Sequence, residues 1–374
     1  MKEYRESRIR LTEAPCRSGL EPTEDRMRSA TPLLLGATLT GCLPSLEADD
    51  EPTRTGELFL TEPGEPDRAH EVIDRLVDSI KRARTSVSVA IYDLDLTEVS
   101  GALIDAHERG LDVQVVGEGD NDDAAGFIDL EDAGVPLVYR GDTSGIMHHK
   151  VLVLDNSLVW TGSMNLTDSG TRLNDNDALL MHSPELASAY TEELNQLFSG
   201  TFGVWKDTLE SAAGGSMSLL TAPASDTMGA VVAAIDSADT SVHFLVFSFT
   251  RPDVAEALVR AHHRGVEVVG VVDAVQASSG WSQDDWLIEQ GVELHIDGNH
   301  EHIGFLGGKL HHKLLLIDPG TASAVAFTGS SNWSNSAAES NDENLLRLAE
   351  PGLVASYEDH FWSRVDEALA AEEP

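Results

Sequence analysis

The sequence predicts an α/β fold made of two tandem α-β-α sandwich domains, related by a pseudo-two-fold axis, with one active site at their interface. Three observations support this prediction. Amphipathic helical segments alternate with short apolar runs of strand character along most of the chain. The segment Ala102–Gly110 is repeated as Ala257–Gly265, each time before an apolar run. A motif of His-x-Lys, Asp and Gly-Ser-x-Asn also occurs twice, which indicates a duplicated domain.

Length and composition fit two domains. The 374 residues, 41% of them hydrophobic, are enough for two cores of ordinary size. The 25 basic and 64 acidic residues give a formal net charge of −39, which repels nucleic acid over most of the surface. We attribute this acidic excess to solubility or adaptation to salt and not to a binding surface.

The first 56 residues are predicted to be a leader outside the fold. If translation starts at Met27, Arg28 precedes an apolar stretch and then Leu39-Thr40-Gly41-Cys42, which is similar to a bacterial lipobox. This predicts lipid modification of Cys42 and a lipid-anchored protein of the bacterial cell envelope, facing the periplasm or the exterior. Residues 47–55 are acidic and predict a tether. The alternative is a polar tail in which this cysteine context arises by chance.

The first domain is predicted over residues 57–202. Helical periodicity predicts helices at Ala69–Ala83, Val99–Arg109 and Pro184–Phe198. Gly110 is predicted to end the second helix as a C-cap. The predicted strands are, in chain order, Ser86–Tyr92, Val113–Val116, Pro136–Tyr139, Val151–Leu154, Leu158–Thr161 and Ala178–Met181.

Glycines between Ser199 and Ser218 predict a boundary, and the second domain is predicted over residues 216–371. The predicted helices are Met228–Ala238, Val254–Arg264, Trp281–Gln290 and Val354–Leu369. The predicted strands are Val242–Phe249, Val266–Val272, Val292–Ile296, Leu314–Ile317, Val325–Phe327 and Leu345–Leu348. Strands joined through helices favour a mixed sheet that is covered on both faces.

The duplicated motif supplies groups that can hold a phosphate and attack it. Each copy has a histidine and a lysine two positions apart, which places both side chains on one face of a strand, toward the same cleft. The pairs are His148 with Lys150 and His311 with Lys313. An imidazole can act as a nucleophile or as an acid near neutral pH, and an ammonium group offsets phosphate charge.

The rest of the motif predicts further contacts with the phosphate. The predicted phosphate-binding residues are Ser163, Asn165, Ser330 and Asn332. Gly162 and Gly329 precede the serines and would let the backbone approach an anion closely. The motif carboxylates, Asp155 and Asp318, follow the strands, where we expect a structural role ahead of a catalytic one.

Other histidines and tryptophans near the motif are given less specific interpretations. His149 and His312 have the opposite parity and are predicted to face the other side of the sheet or its rim. Trp281 and Trp286 flank the second motif and fit either a substrate lip or the core, and at helical spacing we favour the core.

The pattern His-x-Lys, Asp and Gly-Ser-x-Asn in both halves resembles that of the phospholipase D superfamily. The resemblance extends from Glu57 to the C-terminus. It implies catalysis by His148, Lys150, His311, Lys313 and Glu343, without a cofactor and without a metal. It also implies that one histidine forms a phosphohistidine while the other protonates the leaving alcohol, and that water or another alcohol resolves the intermediate.

The halves differ where the superfamily pattern commonly has a carboxylate, because the first half has Asn176 and the second has Glu343. Asn176 is assigned a structural place in the motif. In relatives this acid can reach the opposite histidine, and Glu343 beside His148 would then make His148 the nucleophile and His311 the general acid. If Glu343 instead serves its own half, the roles reverse.

The substrate is left open among three hypotheses. The first is a phospholipid, converted to phosphatidic acid and a head-group alcohol; the predicted lipid anchor at Cys42 and the net charge favour it. The second is a nuclease-like phosphodiesterase; the net charge disfavours it, whereas residues 159–167 and 174–176 are similar to nuclease-like members of the superfamily and support it. The third is an inactive phosphate-binding protein, disfavoured because both complete motifs are present. Two motifs in one chain need no obligate protein partner.

Overall fold

A computed structural model of the protein describes residues 56–141, 144–203, 216–299 and 308–372. The predicted leader with Cys42 and most of the predicted boundary segment lie outside these ranges. Within them, every helix is too short or too polar to cross a membrane.

The first half contains one seven-stranded sheet within the described residues. Its strands are β1 (Gly56–Thr61), β2 (Ser86–Ile91), β3 (Asp112–Glu118), β4 (Leu137–Arg140), β5 (Lys150–Leu154), β6 (Leu158–Gly162) and β7 (Asn176–His182). Its helices are α1 (Pro66–Arg82), α2 (Thr97–Glu108), α3 (Ala125–Asp132), α4 (Asp168–Arg172) and α5 (Pro184–Phe198). A 3₁₀ turn follows β3 at Gly119–Asn121.

The second half repeats this arrangement. Its strands are β8 (Met217–Ala222), β9 (Ser241–Val246), β10 (Glu267–Val272), β11 (Glu293–Ile296), β12 (Lys313–Ile317), β13 (Val325–Gly329) and β14 (Glu343–Leu348). Its described helices are α6 (Thr227–Ser237), α7 (Pro252–Arg264), α8 (Ala274–Ala277), α9 (Asp284–Glu289), α10 (Asn335–Glu339) and α11 (Pro351–Glu372).

Both sheets have the same mixed topology. The strand order is β1-β7-β6-β5-β2-β3-β4 in the first sheet and β8-β14-β13-β12-β9-β10-β11 in the second. In each sheet three strands are parallel, β2-β3-β4 and β9-β10-β11, and the remaining neighbours pair antiparallel. The motif strands β5 and β12 occupy the centre. This confirms the predicted fold class of two tandem, mixed α/β units.

Apolar side chains bury both faces of each sheet. The outer faces pack against α1 to α3 in the first half and against α6, α7 and α9 in the second. The inner faces share one core with α5 and α11, to which both halves contribute. The two sheets therefore belong to one compact unit, Pro52–Pro374, and the limits 57–202 and 216–371 stay a prediction.

The structure differs from the sequence prediction at the sheet edges and near Trp281. Strands β1 and β8, which close equivalent edges by antiparallel pairing, were not predicted. The helix predicted over Trp281–Gln290 is limited to α9. Trp281 is 82% exposed and Trp286 is 36% exposed, so the prediction that they belong to the core is wrong.

Candidate active site

The two histidine–lysine pairs lie at the starts of β5 and β12, the equivalent central strands. The backbone before each strand is bonded to the other half. The His148 amide donates to the Asp342 carbonyl at 2.9 Å, and the His311 amide donates to the Asp175 carbonyl at 2.9 Å. Each histidine is thereby held against a segment of the opposite half.

His148 is oriented by a carboxylate of the second half. Its Nδ1 lies 2.8 Å from Glu343 Oε2, and Glu343 is fully buried. Ser330 Oγ donates to the same oxygen at 2.5 Å, and Asn341 Nδ2 donates to Oε1 at 3.0 Å. These contacts fix the carboxylate, which in turn fixes the imidazole plane. The contact across the halves is the one that the sequence hypothesis places between Glu343 and His148.

His311 is oriented in the same way by a carboxamide of the first half. Its Nδ1 lies 2.9 Å from Asn176 Oδ1. The Asn176 amide nitrogen donates to the Gly170 carbonyl at 2.8 Å, which fixes the orientation of the amide. Its oxygen must then accept from His311 Nδ1–H, which leaves the His311 Nε2 lone pair free for acid–base work.

The motif serines have contacts that differ from the predicted ones. Ser163 and Ser330 are fully buried. Ser163 Oγ donates to Asn176 Oδ1 at 3.0 Å, as Ser330 does to Glu343. Each serine oxygen also accepts a backbone amide of the neighbouring strand. They position the partners of the histidines, because with these bonds made no hydroxyl proton is left for a phosphate oxygen.

The motif glycines are required by a close approach of backbone to backbone. Gly162 has φ 148° and Gly329 has φ 137°. A Cβ at Gly162 would stand 2.3 Å from the Asp177 carbonyl oxygen, and one at Gly329 would stand 2.4 Å from that of Asn344. The predicted close approach exists, but the approaching group is the next strand and not an anion.

An aromatic ring lies against each histidine–lysine pair. Tyr92 lies 4.9 Å from the His148 ring and 5.0 Å from Lys150 Nζ. Phe247 lies 4.8 Å from the His311 ring and 5.0 Å from Lys313 Nζ. Sequence reasoning missed both rings, although each directly follows the strand that pairs with its motif strand, at matching positions of the repeat.

Burial sets the protonation of the two histidines. It lowers the pKa of His148 to about 4, an effect that Glu343 opposes and Lys150 reinforces. Burial and the charges of Lys313 and Lys150 lower the pKa of His311 well below its usual range. Both rings are therefore neutral at neutral pH, the form in which an imidazole is a nucleophile or a base.

The two lysines are fully buried. Burial lowers the pKa of Lys150 to about 7 and that of Lys313 well below its usual value, where Lys150 adds repulsion. Each Nζ donates to the carbonyl of its own motif histidine at 2.6 Å. Burial and mutual repulsion thus disfavour the charged form of both lysines, and an anion beside them, which a phosphodiester would provide, would favour it.

The motif asparagines are half-buried. In the part of the chain that the structure describes, the side-chain oxygens of Asn165 and Asn332 have no hydrogen-bond partner. Their predicted role in phosphate binding stays a prediction.

Asp155 and Asp318 lie at the opposite ends of β5 and β12 from the lysines. Asp155 accepts the amides of Arg84, Thr85 and Ser86, which precede or begin β2. Asp318 accepts the amides of residues 239–241, which precede or begin β9. These bonds hold the pKa of both carboxyls below the usual value, against the effect of burial. The geometry matches the expected structural role.

His149 and His312 lie on the other side of the sheets from the site, and both are fully buried rather than at a rim. His149 Nδ1 lies 3.3 Å from Asn344 Oδ1, and its Nε2 lies 3.4 Å from Glu193. His312 lies 3.4 Å from Asp177 and 3.0 Å from His360. Parity predicted the face correctly but not the helices that cover it.

No group of three or more His, Cys, Asp or Glu side chains in the described ranges is arranged to hold a metal ion.

The match to a family model extends over both halves, and the matches to curated relatives cover about a third of the chain. The family model "Cardiolipin synthase, PLD-like domain" matches residues 76–198 and 231–365. The mitochondrial cardiolipin hydrolase of Xenopus laevis is 34% identical over 134 residues, 35% of this chain and 59% of that protein. A phospholipase D of Rickettsia bellii is 29% identical over 119 residues, 31% of this chain and 59% of that protein. The chain thus spans less than two thirds of these relatives.

A solved structure matches the whole arrangement of two halves. Phosphatidylserine synthase from Haemophilus influenzae Rd KW20 has a TM-score of 0.63 at 12% identity, over 83% of this chain and 86% of that one. At this identity the match bears on the fold alone. Since the family model covers both sheets and both copies of the motif, the chain belongs to the phospholipase D superfamily, through its PLD-like domains.

Proposed function

We propose that the protein is a phospholipase D-type phosphodiesterase in which His148 is the nucleophile and His311 is the general acid. This assignment rests on the different hydrogen-bond partners of the Nδ1 atoms of the two histidines. The Glu343 carboxylate lies 2.8 Å from His148 Nδ1, whereas His311 Nδ1 meets the uncharged Asn176 amide. A histidine that bonds to phosphorus through Nε2 becomes cationic, and a carboxylate at Nδ1 stabilises that charge.

In the first step, neutral His148 attacks phosphorus through Nε2, and the bond from phosphorus to the leaving alcohol oxygen breaks. The leaving oxygen takes a proton from His311 Nε2. In the second step, His311 accepts a proton from water, whose oxygen bonds to phosphorus as the phosphorus–nitrogen bond breaks. Lys150 and Lys313 offset the negative charge of the phosphoryl oxygens in both steps.

His311 must be protonated before it can act as an acid. Burial lowers its pKa most, and the charges of Lys313 and Lys150 lower it further. A phosphodiester anion bound beside these ammonium groups opposes that effect and raises the pKa of His311. Substrate binding and protonation of His311 are therefore coupled, and the acid is generated where the leaving group needs it.

The proposed substrate is a phospholipid. Relatives over part of the chain are named cardiolipin hydrolase and phospholipase D, and phospholipids are phosphodiesters. The net charge of −39 opposes close contact with the many adjacent phosphates of a nucleic acid. The small product of each cleavage would be the head-group alcohol.

The test is a parallel assay of the purified protein in EDTA on phosphatidylcholine vesicles, cardiolipin vesicles and single-stranded DNA. The blank is the double variant His148→Ala/His311→Ala. Release of a head-group alcohol or phosphatidic acid without DNA cleavage supports the proposal. DNA cleavage alone replaces it with the nuclease hypothesis. Saturable binding of inorganic phosphate with no turnover supports the third hypothesis, a phosphate-binding protein.

We also propose that Cys42 carries a lipid anchor that holds the enzyme at the envelope membrane, where its substrate lies. The lipobox-like Leu39-Thr40-Gly41-Cys42 supports this. Expression with labelled palmitate in a bacterial host should label the wild-type chain and not Cys42→Ser, while Cys16→Ser keeps the label. Equal labelling of the two cysteine variants would contradict the anchor.

A further inference from the structure

A groove of about 450 Å³ opens on the outer side of the second sheet, between α6 and strands β8, β12, β13 and β14. Its floor is apolar and includes Phe327 and Leu345, which are buried, and Leu220, which is half-buried. Its wall includes Ala230 and Ala234 of α6. The groove reaches Ile317 and Asp318, at the opposite end of β12 from Lys313, so it lies outside the candidate active site.

The corresponding space in the first half is filled. Strand pairing makes Phe59, Trp160 and Glu57 the equivalents of Leu220, Phe327 and Ser218. Phe59 stacks on Trp160 with ring centroids 5.6 Å apart.

A side chain of helix α1 completes the filling of the first half. Arg75, the equivalent of Ala230, forms two hydrogen bonds to Glu57 at 2.8 and 2.5 Å. Helices α1 and α6 end at matching distances before β2 and β9, which fixes this equivalence. The second half has a smaller side chain at each of these four positions, and the groove is the result.

Two positions change in the other direction: Leu345 stands where the first half has the smaller Ala178, and Arg347 is a cation where the first half has an apolar residue. Arg347 lines the groove where the first half has Leu180, since Arg347 pairs with Ser218 as Leu180 pairs with Glu57. Among the described residues, no carboxylate or other hydrogen-bond acceptor contacts the Arg347 guanidinium. In a chain with 64 acidic residues, a cation without a partner beside an apolar floor is a distinctive combination.

We propose that this groove binds a fatty acid, with the carboxylate on Arg347 and the alkyl chain along α6 over Phe327. A guanidinium matches a carboxylate with two parallel hydrogen bonds. The stretch of α6 from Ala230 to Ser237 is about 11 Å long, which suits a medium-length chain. Asp239 and Asp318 at the far end of the groove disfavour a second anionic group there and favour an apolar tail. The site is independent of the phosphodiesterase chemistry.

The experiment uses the full chain and dodecanoate below its micelle concentration, with binding followed by calorimetry. We expect saturable binding that weakens at most about fourfold for each methylene removed, because each buried methylene contributes a fixed transfer free energy. Dodecyltrimethylammonium, which has the same chain and the opposite charge, should bind at least tenfold more weakly. A dodecanoate analogue with a photoreactive diazirine should label peptides of α6 or β13.

Two variants introduce the residues that the first half has at the equivalent positions. Arg347→Leu should remove the preference for dodecanoate over the cationic amphiphile. Ser218→Glu/Ala230→Arg should fill the groove and abolish binding of both. Phosphodiester turnover should be unchanged in either variant.

The first variant and the labelling keep the proposal testable if the filled variant does not fold. Labelling confined to other peptides, equal binding of the two amphiphiles, dodecanoate affinity unchanged in Arg347→Leu, or no saturable binding would each overturn it.

Discussion

At the scale of single residues, the two motif histidines differ mainly in the partner of their Nδ1 atoms. Each partner comes from the opposite half and is held by a serine of its own half. The Glu343 carboxylate orients His148 and places a negative charge beside it, whereas the uncharged Asn176 amide only orients His311. The two halves of the site therefore have nearly the same geometry but differ in one charge, that of Glu343. This difference in charge is the basis for the different proposed roles of the histidines.

Replacing Glu343 by glutamine should weaken catalysis while keeping the orientation of His148. An amide oxygen can accept from Nδ1–H as Asn176 does for His311, so we expect kcat/KM to fall by about 10–100-fold and not completely. Glu343 raises the pKa of His148, so the acidic limb of the pH profile should move to lower pH. Initial rates on vesicles across pH measure both effects. The exposed Glu339→Gln is the control, and equal rates for both variants would contradict the role.

Exchanging the partners should exchange the roles of the histidines. In the double variant Asn176→Asp/Glu343→Gln, the carboxylate lies beside His311, which should then become the nucleophile. Rapid quenching into alkali during turnover preserves phosphohistidine, and peptide mapping locates it. We expect the label on the His148 peptide in the wild type and on the His311 peptide in the double variant. Label on His311 in the wild type would reverse the assignment.

At the scale of elements, the closest backbone-to-backbone packing of the motif is at the ends of β6 and β13. Gly162 and Gly329 end these strands in a backbone conformation that favours glycine, directly against the carbonyl of the neighbouring strand. The serine that follows then reaches the side chain that orients a histidine of the other half. Packing at these strand ends is therefore linked to the geometry of the site.

Gly162→Ala should destabilise the fold more than Gly110→Ala. Both glycines have positive φ, 148° and 84°, but a Cβ at Gly110 meets nothing within 4 Å. Conformational strain alone costs about 1–3 kcal/mol, and the overlap at Gly162 adds to it. Urea unfolding of both variants gives the difference. Equal losses would show that the contact with the Asp177 carbonyl is relieved at little cost.

The sequence predicted the elements whose pattern is local. Alternation predicted β2, apolar runs predicted β5 and β12, and two-residue spacing placed His148 with Lys150 on one face. Edge strand β8 was missed because its register comes from pairing with β14, which is distant in sequence. The burial of His149 was missed because parity identifies a face but not the helix that covers it. The contact of Glu343 with His148 could be stated only as a hypothesis, because it was drawn from the resemblance to the phospholipase D superfamily and not from a local pattern.

At the scale of the whole molecule, the two halves are joined by buried polar contacts as well as by a shared core. Asp342 pairs with Arg140, and Asp175 pairs with Arg364, each across the halves. Asp177 accepts from Thr328 and Tyr357 of the second half. These groups are buried, so the halves cannot separate without exposing charges to new surroundings.

The free energy of unfolding should fall as pH is lowered from about 6.5 toward 4. Four buried histidines have lowered pKa values: His148, His311, His312 and His360. In the unfolded chain they titrate near 6.5, so the unfolded state binds more protons in this range. Each such proton changes the free energy by about 1.4 kcal/mol per pH unit. Lys313, whose pKa burial lowers well below its usual value, acts in the same direction as the histidines. Asp175, whose pKa burial raises to about 7, acts in the opposite direction, as do the other carboxyls whose pKa burial raises: Asp93, Asp95, Glu118 and Asp273.

Urea unfolding between pH 7 and pH 5 measures this dependence. The variant His148→Gln/His311→Gln removes two of the four histidines and should show a clearly shallower dependence on pH. A dependence as steep as that of the wild type would mean that other groups, and not these imidazoles, take up the protons.

The exchange of orienting side chains between the halves also has a consequence for how such a protein can diverge after duplication. A chain with two identical halves would give both histidines the same partner and the same chemistry. Here a difference at one position of each half, Asn176 and Glu343, alters the histidine that belongs to the other copy. A substitution at this position in one half therefore changes the reactivity of the histidine in the other half. As a result, the two halves can only diverge in function together.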